Sequence, residues 1–223
     1  MPFHDLAASD PTVRPVHGPG RQGWALIAKR TFDLVFAALG LALLSPFLLA
    51  IGIAIRLETP GPVFFRQERV GRFRKTFRIH KFRTMVADAE RQGPTLTRMG
   101  DARVTRVGAF LRQYKLDEFP QLIDVVKGDM SLVGARPELA KYVQFYPERA
   151  QELIFSLPPG ITDLASIAYK EESNILAASA DPERDYIERI LPAKVGYYED
   201  YAKHRSLWGD VIVILQTLKS LFT

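Results

Sequence analysis

From Leu34 to Ile55 the chain runs for 22 residues without a charged side chain, with Lys29 and Arg30 before it and Arg56 after it. A stretch of that length and composition is what the ~30 Å hydrocarbon core of a bilayer demands of a helix. A cleavable signal peptide is disfavoured, because the apolar run is long, starts late and leads into no convincing small-residue cleavage site. Near its centre lies Ser45-Pro46. Proline has no N–H and crowds the carbonyl one turn earlier, so the helix is expected to kink or break there, with the Ser45 hydroxyl available to the freed carbonyl. Taken alone, the segment reads most simply as a kinked spanning helix, since membrane helices tolerate proline. Two features favour a re-entrant helix-break-helix instead. Each half is about a dozen residues, or roughly 18 Å, short of the hydrocarbon core. Both flanks are basic, so the positive-inside rule sends neither end outward. Trp24 suits the interface.

The first 23 residues carry Pro at 2, 11, 15 and 19 and no hydrophobic period, and read as a flexible tail. The expected organisation is a tail over 1–23, a membrane helix over 24–58 and a catalytic domain over 59–223. With no Cys, disulfide scaffolds, cysteine-bound zinc, iron–sulfur clusters and thiol nucleophiles are excluded, and the four His are too scattered for a local ligand motif. The net charge of +5 conceals a split: residues 56–115 hold 15 Lys and Arg against 5 Asp and Glu, whereas 116–223 hold 11 against 17. The basic segment suits a polyanion, whether nucleic acid, an anionic leaflet or a phosphorylated small molecule.

After Thr59-Pro60-Gly61-Pro62, a turn signal, Val63 to Gly71 and Thr76 to Met85 read as two short strands around Gly71. Their aromatic residues interleave with Arg and Lys, which fits base stacking or, equally, an amphipathic hairpin with Phe inward. Val104 to Tyr114 has helical periodicity, and a second helix starts near Asp117, admits Pro120 in its first turn and stops at Gly128. Further helices are expected near 139–156, 181–204 and 205–222. The fold class is therefore α+β: a membrane-embedded re-entrant segment, then a mostly helical cytoplasmic domain with a small β-hairpin.

Asp117-Glu118 is the pair best suited to chemistry. Carboxylates at a helix start sit at the positive end of its dipole, where a phosphate is also welcome; an N-cap with a first-turn acid fits the same residues. Their company is Lys81-Phe82-Arg83 upstream, Arg112 just before the pair and Arg136-Pro137-Glu138 after Gly134. Cations around two carboxylates are what Mg²⁺-assisted phosphoryl transfer requires, with Mn²⁺ as substitute and Asp117 and Glu118 as candidate ligands. No nucleophile-elbow or P-loop pattern occurs.

Four ordered blocks, Lys81 to Met85, Leu116 to Leu122, Lys127 to Glu138 and Pro159 to Thr162, resemble the bacterial sugar transferases, the monotopic polyprenol-phosphate phosphoglycosyl transferases. The resemblance runs from about Lys29 to the C-terminus and includes the Ser45-Pro46 break, which in that family makes a re-entrant membrane helix. It implies transfer of a phosphosugar from a UDP-sugar to undecaprenyl phosphate or a similar lipid, with UMP released. Asp117 would be the nucleophile and Glu118 its partner, while Lys81, Arg83, Arg112, Arg136, Thr162 and Lys170 would handle phosphate and substrate. It further implies a bacterial inner membrane setting with the catalytic domain on the cytoplasmic face, membrane lipids as partners, no nucleic acid, and room for a homodimer. The chain departs from the family pattern at Tyr114-Lys115, Ala135, Asp163 and Lys170. A membrane-tethered nucleic-acid-binding protein is the competing reading; it uses the basic hairpin but leaves Asp117-Glu118 idle.

Overall fold

The computed structural model describes residues 19–89, 93 and 100–220, with side chains from residue 24 onward. Helix α1 runs over Pro19–Glu58, 40 residues or about 60 Å. It begins inside the stretch expected to be tail; residues 1–18 lie outside the described residues. The chain stays helical through Pro46, so the expected interruption is at most a bend within one helix. A single backbone bond is lost to proline, that to Ala42 one turn back, and the Ser45 hydroxyl donates to the Ala42 carbonyl at 2.9 Å in its place.

One face of α1 is covered along most of its length. Asp33, Ala37, Ile51 and Ile55 are buried at helical spacing, whereas Leu43 and Leu49 on other faces are 80% and 67% exposed. What covers that face is the rest of the chain. At one end the Arg30 guanidinium donates to the carbonyls of Val125 and Val126, at 2.6 and 3.0 Å. At the other, the Glu58 carboxylate accepts from the Arg106 and Val107 amides, at 2.7 and 3.1 Å. A cation thus sits at one helix C-terminus and an anion at another helix N-terminus, the signs each end favours.

The expected hairpin is present, divided into two antiparallel pairs. Strand β1 (Phe64–Phe65) pairs with β4 (Lys81–Phe82), and β2 (Glu68–Val70) with β3 (Thr76–Arg78). Phe64 opposite Phe82 and Glu68 opposite Arg78 belong to one unbroken register across the gap. Phe82 is buried and Phe77 half-buried, whereas Arg66, Arg74 and Arg78 are exposed. Phe82 and Phe77 thus face the core, whereas Phe64, stacked on Phe82, is 37% exposed. Phe73, at the turn, is 63% exposed, with the Arg72 guanidinium 4.5 Å from its ring centre.

Helix α2 (Arg106–Gln113) is capped by Thr105, whose hydroxyl accepts from the Gly108 amide. A 3₁₀ turn over Leu116–Gln121 leads into α3 (Leu122–Lys127), which ends at Gly128 with φ 95°. A left-handed conformation closing a helix favours glycine. The expected helix near 139–156 is two, α4 (Ala140–Val143) and α5 (Glu148–Ile154), with Pro147 between them. Short helices α6 (Leu164–Ala168), α7 (Glu172–Ala177) and α8 (Pro182–Asp185) follow. A π-helical stretch, Tyr186–Ile190, joins α8 to α9 (Leu191–His204), and α10 covers Leu207–Ser220. Tyr142, Ile154, Leu176, Leu191 and Tyr198 build the principal core among these elements.

A parallel pair, β5 (Ser131–Val133) with β6 (Gly160–Thr162), was not expected from the sequence. Next to it the backbones at Gly134 and Gly160 nearly touch: a Cβ on Gly160 would lie 2.1 Å from the Gly134 nitrogen. No side chain fits there, and the close approach fixes where the chain after β5 delivers Arg136.

Candidate functional site

The hairpin's last strand lies against the 3₁₀ turn, so Lys81 on β4 meets Asp117 and Glu118. The Lys81 ammonium donates to the Glu118 carboxylate at 2.7 Å and stands 3.9 Å from Asp117. Arg136 reaches the same Glu118 with two nitrogens, one at 3.0 Å. Residues 37 and 18 positions apart in sequence thus converge on one carboxylate.

The two acids differ in state. Burial works to push the Glu118 carboxyl up, but the charges of Arg136 and Lys81 and their hydrogen bonds prevail and hold it well below the usual carboxylate range. For Asp117, burial raises the carboxyl, Lys81 opposes it, and the neighbouring Glu118 charge raises it further. Glu118 is therefore a fixed anion. Asp117, 8% exposed, makes no side-chain hydrogen bond among the described residues, and the Lys81 ammonium stands 3.9 Å from it. Burial lowers Arg112, with Asp117 the first charge opposing that shift. Its Nε donates to the Thr84 hydroxyl at 2.8 Å, which orients the guanidinium while committing one nitrogen.

The structure thus brings together Lys81, Arg112, Asp117, Glu118 and Arg136. It does not bring in the other candidates. Arg83 donates to the Pro60 and Thr59 carbonyls, at 2.6 and 2.8 Å, and so holds the turn between α1 and β1. Thr162 shares a hydrogen bond with Thr217 at 2.6 Å, joining β6 to α10. Lys170 is exposed in the turn after α6. The expected helix start is also altered: Asp117 and Glu118 open a 3₁₀ turn preceded by Lys115 at φ 55°, not the first turn of an α-helix.

Three further residues, none of them a site candidate in the sequence, support the cluster. Arg69 donates to the Pro137 carbonyl at 3.2 Å and lies 3.5 Å from Glu138, bracing the segment that carries Arg136. Lys115 adds positive charge beside Asp117. Asp163 caps α6 through the Ser166 amide at 2.8 Å, and its charge also bears on Arg136. Lys115 and Asp163 stood out in the sequence only as departures from the family pattern, and nothing local marked Arg69.

Of the two carboxylates expected to hold magnesium, the structure leaves one without a cation in hydrogen-bond contact among the described residues. Among the described residues no group of three or more His, Cys, Asp or Glu is disposed to hold a metal. Both Glu118 oxygens are engaged by cations, which leaves Asp117 as the one carboxylate of the pair without such a contact. Mg²⁺ often takes one or two carboxylates and completes its shell with substrate phosphates and water.

Beside the cluster lies an apolar cavity of about 640 Å³ between the second half of α1 and the hairpin. Leu48, Gly52, Val63, Phe64, Phe82 and Pro120 help line it, with Ser45 and Arg56 as polar members. Phe82 adjoins Lys81, and Pro120 follows Asp117 by three residues.

The pattern of the bacterial sugar transferase family matches residues 24–223. A UDP-glucose:undecaprenyl-phosphate glucose-1-phosphate transferase of Caulobacter vibrioides is 37% identical over 214 residues, 95% of this chain and 76% of the relative. A UDP-N-acetylgalactosamine-undecaprenyl-phosphate N-acetylgalactosaminephosphotransferase of Aeromonas hydrophila is 39% identical over 197 residues, 87% of this chain but 44% of the relative. An Escherichia coli UDP-glucose:undecaprenyl-phosphate glucose-1-phosphate transferase is 34% identical over 209 residues, 92% of this chain and 42% of the relative. The chain thus spans less than half the length of the last two.

Proposed function

The chain belongs to the bacterial sugar transferase family, and from that premise we propose that it transfers a phosphosugar from a UDP-sugar to undecaprenyl phosphate or a similar polyprenol phosphate, releasing UMP. The observation that carries this reading is the juxtaposition of a buried Asp117, without a side-chain hydrogen bond among the described residues, with a cation set and a large apolar cavity. A charged diphosphate and a polyisoprenoid tail need those two environments side by side.

In the first step an Asp117 oxygen attacks the phosphorus that bears the sugar; the bond to the UMP oxygen breaks, and UMP leaves with its electron pair. The resulting acyl phosphate keeps the transfer potential, splitting one difficult displacement into two. In the second step an oxygen of the lipid phosphate attacks that phosphorus, the Asp117 carboxylate departs, and a lipid-linked diphosphosugar is released. Arg112 and Lys115, whose charges act on Asp117, would neutralise charge developing on the phosphoryl oxygens. Glu118 keeps Lys81 and Arg136 in place and prevents Lys81 from closing on Asp117. Mg²⁺, with Asp117 and the diphosphate as ligands, would supply further charge neutralisation.

The same reading sets α1 in the cytoplasmic leaflet as a re-entrant or obliquely seated helix rather than a spanning one. The support is that the domain grips α1 from Arg30 to Glu58, roughly 42 Å of helix. Spanning along that length would draw the polar domain into the ~30 Å hydrocarbon core. For the reaction, incubating the full chain with Mg²⁺, polyprenol phosphate and a panel of UDP-sugars should release UMP with at least one sugar, and excess EDTA should stop it. No UMP from any of them would refute the proposal.

A further inference from the structure

A second cavity, of about 250 Å³, lies at the first turns of α1 and shares no lining residue with the apolar one beside Asp117. Lys29, Arg30, Arg72 and Arg205 line it, with Asp33 as the lone acid and the Tyr201 ring on one wall. The inner cations are engaged. Lys29 pairs with Asp33 at 2.8 Å and with Asp210 at 2.9 Å, while Arg30 is spent on the two α3 carbonyls. At the rim the position differs. Arg72 uses its Nε on the Ser156 carbonyl at 2.9 Å, and Arg205, exposed between α9 and α10, makes no ion pair or hydrogen bond among the described residues. Even with Asp210 counted behind Lys29, the site holds two positive charges more than negative.

The chain's two tryptophans are close in sequence to the cleft's lining: Trp24 precedes Leu26 by two residues and Trp208 follows Arg205 by three, and they are 76% and 72% exposed. Helix α10 turns Asp210, Val213 and Thr217 toward the domain and leaves Trp208, Ile212 and Leu215 outward at i, i+4, i+7 spacing. The apolar exposed face of α1 begins at the same place, with Leu26 shared between it and the cleft. Tryptophans beside cations, at the end of a membrane-length helix, mark headgroup depth. A pocket of net positive charge at that depth suits a lipid phosphate, because the leaflet's own charge is negative.

We propose that this cleft binds the phosphate headgroup of an anionic phospholipid, with α10 lying in the interface so that its outer face and α1 receive the acyl chains. The site is separate from the reaction centre and rests on the membrane reading of α1, not on the proposed chemistry. It would fix the rotation of the domain on the membrane, and so the depth at which Asp117 meets a lipid-borne phosphate.

The test titrates the detergent-solubilised full chain with phosphatidylglycerol and, separately, phosphatidylcholine, counting retained lipids by native mass spectrometry. The expected result is one phosphatidylglycerol held at least tenfold more tightly than phosphatidylcholine. Arg72→Gln with Arg205→Gln should remove the preference while far-UV circular dichroism and UMP release in detergent stay at wild-type levels. Arg205→Gln alone, at an exposed side chain whose loss disturbs no packing, should weaken the preference at least threefold, and Trp208→Ala should weaken binding of both lipids. An undiminished preference in Arg205→Gln overturns the proposal. So does complete displacement by millimolar glycerol phosphate, which would mark a site for a free phosphate. A chain that prefers phosphatidylglycerol but releases no UMP would leave this site standing and remove the proposed reaction instead.

Discussion

Replacing Glu118 with Gln should damage both stability and turnover, whereas Asp117→Asn should damage turnover alone. Glu118 is the shared counterion of Lys81 and Arg136, and its side chain is 12% exposed. Removing one partner of a buried ion pair costs ~3–5 kcal/mol because the other charge is left uncompensated. Gln keeps the shape and one acceptor oxygen, so the low end, about 3 kcal/mol, is expected. For a domain of this size each kcal/mol moves Tm by about 2–4 °C, giving a drop of about 6–12 °C. The freed Lys81 has Asp117 as its remaining near acid, 3.9 Å away, and closing that gap would tie up the nucleophile. Asp117 itself is a different case. Burial raises its carboxyl, so folding disfavours the ionised form and a neutral amide of equal shape should cost little. Differential scanning fluorimetry in one detergent at one scan rate, paired with UMP release, measures both quantities. Equal Tm values for wild type and Glu118→Gln, or an Asp117→Asn drop as large as that of Glu118→Gln, would refute this division of roles.

Because the attacking Asp117 must be ionised and burial raises its carboxyl, kcat/KM should be full above that raised value and fall as pH is lowered through it; an acid limb no higher than an ordinary Asp, ~3.9, would contradict this. Asp33 accepts from the Ser131 hydroxyl at 2.8 Å and the Leu132 amide at 3.2 Å, so Asp33→Ala should lower stability by about 3 kcal/mol with kcat per folded molecule preserved, as thermal unfolding and active-fraction assays would read. In a chain without Cys, single cysteines at Ala8 and Ser220 should both resist an impermeant thiol reagent in intact cells and both react after lysis; labelling of Ala8 alone in intact cells would mean that α1 spans.

Much of the site was legible because charged residues in short blocks advertised themselves. Lys81, Asp117, Glu118 and Arg136 were separable from the background by type and company, and the hairpin and the Gly128 stop by turn chemistry. Arg83 sits two residues from Lys81 in the same block, just past the end of β4, yet its guanidinium serves the Thr59 and Pro60 carbonyls: which cation of a block meets the acids is a tertiary fact that spacing does not settle. The β5–β6 pair escaped because three residues per strand carry no period. The Asp33 junction escaped for another reason. An acid at the edge of an apolar run looks like the boundary of a membrane segment, whereas here it fastens α1 to β5 and, through Lys29, to α10. The unbroken helix at Pro46 shows the limit of a local rule, since the neighbouring Ser45 hydroxyl takes over the carbonyl that proline orphans.

The central claim is that Asp117 carries the phosphosugar between the two substrates, and trapping it is the most direct test. The full chain, given Mg²⁺ and its UDP-sugar without a lipid acceptor, should release UMP in a burst equal to the active enzyme. Peptide mass spectrometry should then find one sugar phosphate on Asp117, which is discharged when polyprenol phosphate is added. A burst without an adduct, an adduct on Glu118, or one that the lipid cannot discharge would contradict the account.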